Sequence, residues 1–389
     1  MSALATAPPR TLPDGLATLL QGVDDRGRTR YGLPALADDS LVNFGSCTAN
    51  PITPALLAQW RTLEHRSTAL DPQRHLQTLF GATQCRLAAS GTDAEYSCAL
   101  AMGSQPYCTV LMDPREIGSG CERAAAGLTH TLGCPVTAPL AIDTAMEKVL
   151  LRDEAGRVLS QDQIDSQLFA IAQRHDHLPL LVHHVSCSKT GLSAPSEAAC
   201  RQLQQEHAAG VRVVVDASQG RFAAQDVQRW LALGWAVIIT GSKYFGAPPF
   251  CGATLFPAGW PQARGFAVAP GLLARWRLAL ENFARPPQRS AWRNALQTAF
   301  VPQLPHGAVD SDTPHDRQGI LSFDLGLNAD QTLALHRRLI QRGFFIGQPV
   351  AAGRRSLLRV ALGAHTNPDQ MVPDLARLAR TLRNELRHG

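Results

Sequence analysis

The stretch WAVIITGSK, residues 235–243, decides the fold. Its apolar beginning predicts a buried β-strand, and Lys243 follows shortly after that strand ends. The carboxyl ends of strands are where open α/β sheets bind ligands, and burial lowers the pKa of a lysine amine, which suits it to react with an aldehyde. A surface lysine with a buried stem is the alternative on this motif alone. The chain has only three lysines, Lys148, Lys189 and Lys243, so any mechanism that needs a lysine amine has three candidates.

Similar short apolar runs alternate with helical patterns through the middle of the chain. Strands are predicted at 85–89, 107–112, 178–185, 211–216, 235–240 and 252–257, and helices at 92–103, 119–132, 161–175, 195–208 and 224–233. Continuous apolar strands separated by helices are typical of a mostly parallel sheet with helices on both faces. The pattern restarts after a proline-rich region, with strands at 320–326, 344–347 and 357–363 and helices at 329–342 and 367–387.

These patterns predict an α/β protein with a large sheet domain and a smaller α/β C-terminal domain. The boundaries that follow are an N-terminal arm at 1–40 with a short helix near 16–23, a large domain at 41–264, a linking helix and loop at 265–290, and a small domain at 291–389.

Composition excludes several classes of protein. The chain has 389 residues, a formal charge of +5 and no block of like charges, which argues against a nucleic-acid partner. Its nine cysteines form no CxxC pair, so neither a metal site nor a disulfide framework is indicated. No apolar run has the length of a membrane span, and no secretory signal is recognisable at the start of the sequence. A cytoplasmic enzyme with no membrane partner is the expectation.

Asp216 ends the apolar run VRVVVD. A carboxylate at the end of a buried strand is costly unless it has a cationic or hydrogen-bonding partner. A protonated ring nitrogen is such a partner, and a helix cap or a buried salt bridge is the alternative. Gln219, three residues later, has an amide that can donate to an oxygen on the same ring.

Two further segments have the chemistry of anion binding. Ser90-Gly91-Thr92 follows a predicted strand and opens a helix, where backbone N–H groups and the helix dipole favour a phosphate; an ordinary capping box is the alternative. Arg359 lies in an apolar strand of the smaller domain, where its guanidinium is placed to bind a carboxylate or to form a structural salt bridge.

The order of these segments resembles that of the fold-type-I enzymes that depend on pyridoxal 5′-phosphate (PLP). Residues 41–365 resemble the class V aminotransferase and cysteine desulfurase group. The resemblance implies the PLP-transferase fold type I, a homodimer, a Schiff base between PLP and Lys243, and a catalytic pair of Lys243 and Asp216. It also implies that Thr240 binds the cofactor phosphate, that Ser242 occupies a place often held by histidine, and that Arg359 binds the substrate carboxylate.

The sequence departs from that group in two places. No cysteine follows Cys251, so the persulfide chemistry of the desulfurases is not expected. The segment 113–120, where the group often stacks a ring on the cofactor, has no aromatic residue, and Glu116 is the candidate cofactor contact there. The segment 185–191 faces cofactor and substrate in the group, which implies a cofactor contact for Ser186 and a substrate contact for Lys189; a simple turn is the alternative.

The predicted function is therefore PLP chemistry on a small amino-acid substrate, of the aminotransferase type. A PLP-dependent lyase or a β/γ-replacement enzyme that forms C–C or C–S bonds is the first alternative, because the residues that bind PLP do not decide which bond breaks. A non-catalytic binding protein of the same fold is the second alternative, although such a protein is expected to have lost Lys243 or Asp216. A dinucleotide-binding oxidoreductase is excluded because no convincing glycine-rich fingerprint occurs.

Overall fold

The computed structural model describes residues 28, 34, 36–38, 40–48, 50–65, 71–128, 144–261, 270–310, 312 and 319–388. The helix expected near 16–23, most of the predicted N-terminal arm and the end of the helix predicted at 119–132 lie outside these residues.

The strands in chain order are β1 Val42–Phe44, β2 Gln84–Ala88, β3 Tyr107–Met112, β4 Thr144–Val149, β5 Leu180–Val185, β6 Val211–Ala217, β7 Ala236–Thr240, β8 Gly252–Phe256, β9 Ile320–Asp324, β10 Phe344–Ala352 and β11 Arg355–Ala361. The helices are α1 Pro54–His65, α2 Pro72–Phe80, α3 Gly91–Ala101, α4 Cys121–Ala125, α5 Gln161–Arg174, α6 Glu197–Glu206, α7 Ala224–Ala232, α8 Pro270–Phe283, α9 Arg289–Ala295, α10 Ala329–Gln341 and α11 Met371–His388. A π-helical turn, Leu296–Phe300, and a 3₁₀ turn, Val301–Gln303, follow α9.

Within the described residues, seven strands form the larger sheet in the order β2-β8-β7-β6-β5-β3-β4. Only β8 runs antiparallel to its neighbours, so β2 points the same way as the five parallel strands. The central strands are buried along all or most of their length on both sides, which is the pattern of a sheet covered on both faces.

Helices cover both faces of this sheet. On one face, Ala94 and Cys98 of α3 pack with Leu181 and Val214 of the sheet. On the other face, the apolar sides of α5, α6 and α7 pack against the alternate residues of the same strands, among them Val182 and Val213. The predicted α/β architecture, a mostly parallel sheet with helices on both faces, is confirmed.

The second sheet of the described part has the order β1-β10-β11-β9. Strands β10, β11 and β9 are antiparallel neighbours, whereas β1 pairs in parallel with β10, with Val42 opposite Phe344. Residues 41–44 fall within the predicted large domain, 41–264, and β1 pairs with β10 of the smaller sheet. A three-residue apolar strand predicts burial but does not specify the sheet in which it pairs.

One other difference concerns exposure. Strand β4 was not predicted, because it lies at the edge of the sheet and most of its residues are only partly buried. In the segment 265–290, predicted as a linking helix and loop, a helix is observed at Pro270–Phe283, and residues 262–269 lie outside the described part of the chain. None of the helices in the described ranges combines the length and the apolar character that a membrane span requires.

Candidate functional site

The carboxyl ends of β2, β5, β6 and β7 meet at one edge of the larger sheet. Val185 lies opposite Asp216, Asp216 lies opposite Ile238, and the ends of β2 and β7 both lie opposite Gly252. The residues that follow these strand ends therefore come together. They are the predicted site residues Ser90, Gly91, Thr92, Ser186, Gln219, Thr240, Ser242 and Lys243, together with Asp216.

Lys243 is partly buried, and its Nζ donates to Ser218 Oγ at 3.2 Å. Burial lowers the pKa of Lys243, although the carboxylate of Asp216 acts in the opposite direction. A lysine with a lowered pKa has a larger fraction of neutral, nucleophilic amine at neutral pH. Lys148 differs: its side chain is 44% exposed and forms an ion pair with Glu122 at 2.5 Å.

Asp216 is held in place by the loops on either side of it. Its Oδ1 accepts from the backbone N–H of Ser218 at 2.9 Å, and its backbone carbonyl accepts from the backbone N–H and the hydroxyl of Ser186 at 3.1 and 3.2 Å. The side chain of Asp216 lies at the sheet edge with the residue only 9% exposed. A carboxylate in this position is available to a cationic or N–H partner beyond the strand end.

Gln219 is buried, and its Oε1 accepts from Ser46 Oγ at 2.8 Å. This bond fixes the orientation of the amide and leaves Nε2 as its donor. Asn50 donates in a similar way to the backbone carbonyl of Ser242 at 3.1 Å. Sequence reasoning missed Ser46 and Asn50, and the only available signal was the Asn50-Pro51 loop after β1.

The Ser90 side chain has the capping role that was left open as an alternative. Its Oγ donates to Asp93 Oδ2 at 2.6 Å and accepts from the backbone N–H of Asp93 at 3.2 Å. The N–H groups of Gly91 and Thr92 lie in the first turn of α3, where a helix has no carbonyl to offer them, and they mark the positive end of its dipole. These backbone groups, rather than the Ser90 hydroxyl, are suited to an anion.

Close packing brings the start of α3 against the two neighbouring loops. A Cβ at Gly91 would lie 3.2 Å from Cβ of Ser218 and 3.3 Å from Cγ2 of Thr240. A Cβ at Gly252 would lie 2.5 Å from the carbonyl oxygen of Ser90, a distance that only glycine tolerates.

The hydroxyls of Thr240 and Ser242 differ in their partners. Thr240 Oγ1 donates to the backbone carbonyl of Ser218 at 2.6 Å. Ser242 is completely buried, and its Oγ has no hydrogen-bond partner among the described residues. A buried hydroxyl without a partner is costly, so Ser242 fits a site that is completed by a polar ligand.

Glu116 lies in a buried network of its own. Its carboxylate forms an ion pair with Arg152 at 3.0 Å and accepts from Ser188 Oγ at 2.8 Å and from the backbone and hydroxyl of Thr190. Arg152 also pairs with Asp310 at 3.2 Å. These contacts favour a structural role for Glu116, which fixes the 186–192 loop, over the cofactor contact expected from the sequence.

Arg359 and Lys189 lie next to each other. Arg359 is buried, and its Nη1 donates to the backbone carbonyl of Lys189 at 2.8 Å. Lys189 Nζ donates to the carbonyl of Arg115 at 3.1 Å. Burial and the positive charge of Arg359 lower the pKa of Lys189 to about 8. The two predicted substrate-binding residues therefore form one cationic group near Lys243. The charge of Lys243 also contributes to lowering the pKa of Lys189.

No family model matches the chain, and comparison with curated proteins finds no match. Among solved structures, it is similar to the serine palmitoyltransferase from S. paucimobilis with bound PLP–myriocin aldimine, with a TM-score of 0.60 at 15% identity over 96% of this chain and 98% of the other. A serine palmitoyltransferase from Sphingomonas wittichii matches with a TM-score of 0.55 at 14% identity, over 96% and 84% of the two chains.

A complex of SepCysS with the SepCysE N-terminal domain matches with a TM-score of 0.61 at 10% identity, over 89% of this chain and 96% of the other. At these identities the likeness concerns the fold, and it agrees with the sheet order and the helix layers described above. The chain has the α/β fold of the PLP-dependent transferases of fold type I.

Proposed function

We propose that this chain is a PLP-dependent enzyme that acts on an amino acid and that Lys243 attaches the cofactor. The observation that carries the proposal is the position of Lys243: it is partly buried, its pKa is lowered, and it lies at the sheet edge that also holds Asp216 and Gln219. Solved structures of the same fold hold PLP, which supports the choice of cofactor.

The residues present fit this cofactor. The first turn of α3 offers N–H groups to the phosphate, and the unpartnered hydroxyl of Ser242 and the hydroxyl of Thr240 are the side chains suited to join them. Asp216 would accept a hydrogen bond from the ring nitrogen and hold a proton there. Gln219 would donate from Nε2 to the ring oxygen, and Ser186 would keep Asp216 in place.

When bound, PLP supplies a ring that accepts electrons and stabilises negative charge on the carbon next to the substrate amino group. The Lys243 amine, once displaced by the substrate amine, would move the proton at that carbon. Arg359 would bind the substrate carboxylate through its guanidinium, and Lys189 would add positive charge beside it.

An aminotransferase-type reaction, in the manner of the class V group, is the first candidate because the segments 216–219 and 240–243 resemble that group. A lyase or a β/γ-replacement reaction is the second, and the similarity to serine palmitoyltransferases, whose name describes acyl transfer, favours neither of the two. The presence of both Lys243 and Asp216 argues against a non-catalytic binding protein.

The decisive experiment is reductive labelling. Purified protein is incubated with PLP, treated with borohydride and digested, and the pyridoxyl group is located by peptide mapping. We expect the label on Lys243, absorbance of a PLP–lysine adduct in the visible range, and loss of both in Lys243→Ala but not in Lys148→Ala. A label on Lys148 or Lys189 contradicts the assignment.

Titration with amino acids then separates the two reaction types. Formation of a keto acid without ammonia supports aminotransfer. Release of ammonia or loss of a side-chain substituent supports elimination or replacement.

A further inference from the structure

A fully buried histidine and carboxylate lie beneath the candidate site. His183 of β5 forms an ion pair with Glu95 of α3, with each side chain 2% exposed. The other ring nitrogen, Nδ1, lies 3.2 Å from the carbonyl oxygen of Val110. Because a carbonyl only accepts, Nδ1 carries a proton, and the Glu95 carboxylate is the partner of a second proton at Nε2.

The protonation of His183 is decided by two opposing effects. Burial acts to lower its pKa, but the charge of Glu95 and the hydrogen bond to it outweigh burial, and the pKa of His183 is raised. Both ring nitrogens of His183 face acceptors, and this geometry together with the raised pKa favours an imidazolium beside the Glu95 side chain.

Strand geometry places this pair behind Asp216. Leu181 and Val214 both pack against α3, and side chains alternate along a strand, so His183 and Asp216 point to that same face. Val185 is the partner of Asp216 across the sheet. His183 thus lies on the strand next to that of Asp216, about 5 Å away across the sheet. Along the strand direction it lies two residues, or about 7 Å, before Asp216.

The neighbouring histidine shows that burial at this depth does not require a carboxylate. His184 points to the opposite face, where its Nδ1 lies 2.7 Å from the carbonyl oxygen of Pro195 and its ring packs near Trp230 and Trp235. Burial lowers the pKa of His184, and the ring is neutral. A buried ion pair often contributes little stability compared with apolar residues of the same size, so the Glu95–His183 pair calls for another explanation.

We infer that Glu95 and His183 are positioning residues that place a positive charge behind the carboxylate of Asp216 and so strengthen its hydrogen bond to the ring nitrogen of a bound pyridine cofactor. The inference rests on the proposed function. Charges then alternate in sign from Glu95 through His183 and Asp216 to the ring nitrogen, and each lowers the energy of the next. Without the imidazolium, the carboxylate of Asp216 would lose the positive charge placed behind it on the same face of the sheet.

The test compares PLP with 1-deaza-PLP, the analogue in which carbon replaces the ring nitrogen. Dissociation constants for both are measured on the full-length chain freed of cofactor. The ratio of the two constants reports the bond to Asp216, whereas a general loss of structure weakens both ligands. The variants are Glu95→Gln, which removes the charge at constant size, and His184→Gln as the matched control on the opposite face.

We expect the wild-type chain and His184→Gln to prefer PLP, and Glu95→Gln to lose at least about tenfold of that preference, the size expected for one charge-assisted hydrogen bond. Circular dichroism checks folding. If Glu95→Gln does not fold, the double variant Glu95→Gln/His183→Gln, which leaves no buried charge, is held to the same criterion. A folded variant with the wild-type ratio overturns the inference alone, whereas a wild-type chain that binds neither ligand overturns the proposed function.

Discussion

At the scale of single residues, removal of the Asp216 side chain should slow the reaction while the cofactor still binds. Asp216→Ala leaves Lys243 and the first turn of α3 in place, so PLP should still bind, with altered absorbance. Turnover should fall by about 3 kcal/mol or more of transition-state stabilisation, roughly a hundredfold, because the ring nitrogen loses its carboxylate partner. Steady-state kinetics and absorbance spectra measure the two effects.

The control for this variant is Asp216→Asn, which removes the charge and retains an oxygen for the backbone N–H of Ser218. The Asp216→Asn variant should fold, and its turnover should be nearly as slow as that of Asp216→Ala. An unfolded Ala variant rescued fully by Asn would mean a structural role for Asp216, and a folded, fully active Ala variant would contradict the proposed site geometry.

Lys189 gives the site a dependence on pH. Its pKa in the folded chain is lowered to about 8 by burial and by Arg359, while Glu116 and Cys121 act in the opposite direction and Lys243 in the same one. Lys189 is positively charged below about pH 8 and neutral above it, so a carboxylate ligand should bind more weakly as pH rises through 8. Calorimetric titration of a dicarboxylate across this range should show the decline in the wild type and a weaker one in Lys189→Met; equal profiles would exclude Lys189 from the anion site.

The same lowered pKa predicts the sign of a stability effect. Between about pH 8 and the ordinary lysine value, the unfolded chain binds a proton that the folded chain does not, so the free energy of unfolding contributed by Lys189 rises with pH. Below pH 8, the unfavourable contribution of Lys189 to the free energy of unfolding is fully present. Lys189→Met should therefore stabilise the chain at pH 7 more than at pH 10 in denaturant titrations, and the reverse order would contradict the lowered pKa.

Single residues also show which parts of the site the sequence can predict. Lys243, Asp216 and Gln219 follow apolar strands, and strand ends at one edge of a parallel sheet meet in space. Ser46 was missed because its bond to Gln219 joins residues 173 positions apart. Glu116 was expected to contact the cofactor, but its partner Arg152 is set by tertiary packing that no local pattern reports.

At the scale of elements, continuous burial explains the success of the strand prediction. Strands β3, β5, β6 and β7 are buried along all or most of their length, and they were predicted within two residues of their observed bounds. Strand β4 mixes polar and apolar residues at a partly exposed edge, and β1 is too short to indicate its partner. Sequence periodicity reports how an element is buried, whereas the choice of sheet depends on contacts distant in sequence.

The crossing of β8 under the start of α3 leads to a prediction for Gly252. Alanine there would place Cβ against the Ser90 carbonyl and push the first turn of α3 out of position. Gly252→Ala should weaken the binding of PLP and of inorganic phosphate at least about tenfold, because the N–H groups of Gly91 and Thr92 no longer converge. Gly326→Ala, which strains a turn with open space around it, is the control and should lose stability without losing phosphate affinity.

At the scale of the whole molecule, the resemblance to class V enzymes predicts a homodimer with sites near the subunit boundary. Light scattering should give twice the chain mass, and an active monomer would contradict this. The same resemblance implies that the segment 287–290 reaches the cofactor phosphate of the partner subunit. In the single chain, Arg289 Nε donates to the hydroxyl of Tyr244 at 3.3 Å, next to Lys243, so Arg289→Gln should alter cofactor affinity whether or not it also crosses the boundary.

The two sheets are joined near the site by Arg221, which follows β6. Its buried guanidinium donates to the carbonyls of Gly319 and Leu362, at the ends of β9 and β11, and lies 4.9 Å from the ring centre of Tyr244. The Gly319 carbonyl also accepts from the backbone N–H of Leu362 and keeps that hydrogen bond when Arg221 is replaced. Loss of Arg221 therefore mainly removes the donor to the Leu362 carbonyl. Such a buried acceptor costs about 1–3 kcal/mol.

Arg221→Met retains much of the volume but removes both donors, so the smaller sheet, with Arg359 on β11, should be less firmly fixed to the larger one. We expect lower stability in denaturant titration and a raised KM for the amino-acid substrate, because the proposed carboxylate site at Arg359 of β11 is joined to the segment of Lys243 through this contact. Arg377→Met is the matched control: its guanidinium lies over Phe344 on the outer side of the smaller sheet, and its loss should leave KM unchanged. A stable Arg221→Met variant with unchanged KM would show that other contacts suffice to hold the two sheets in register.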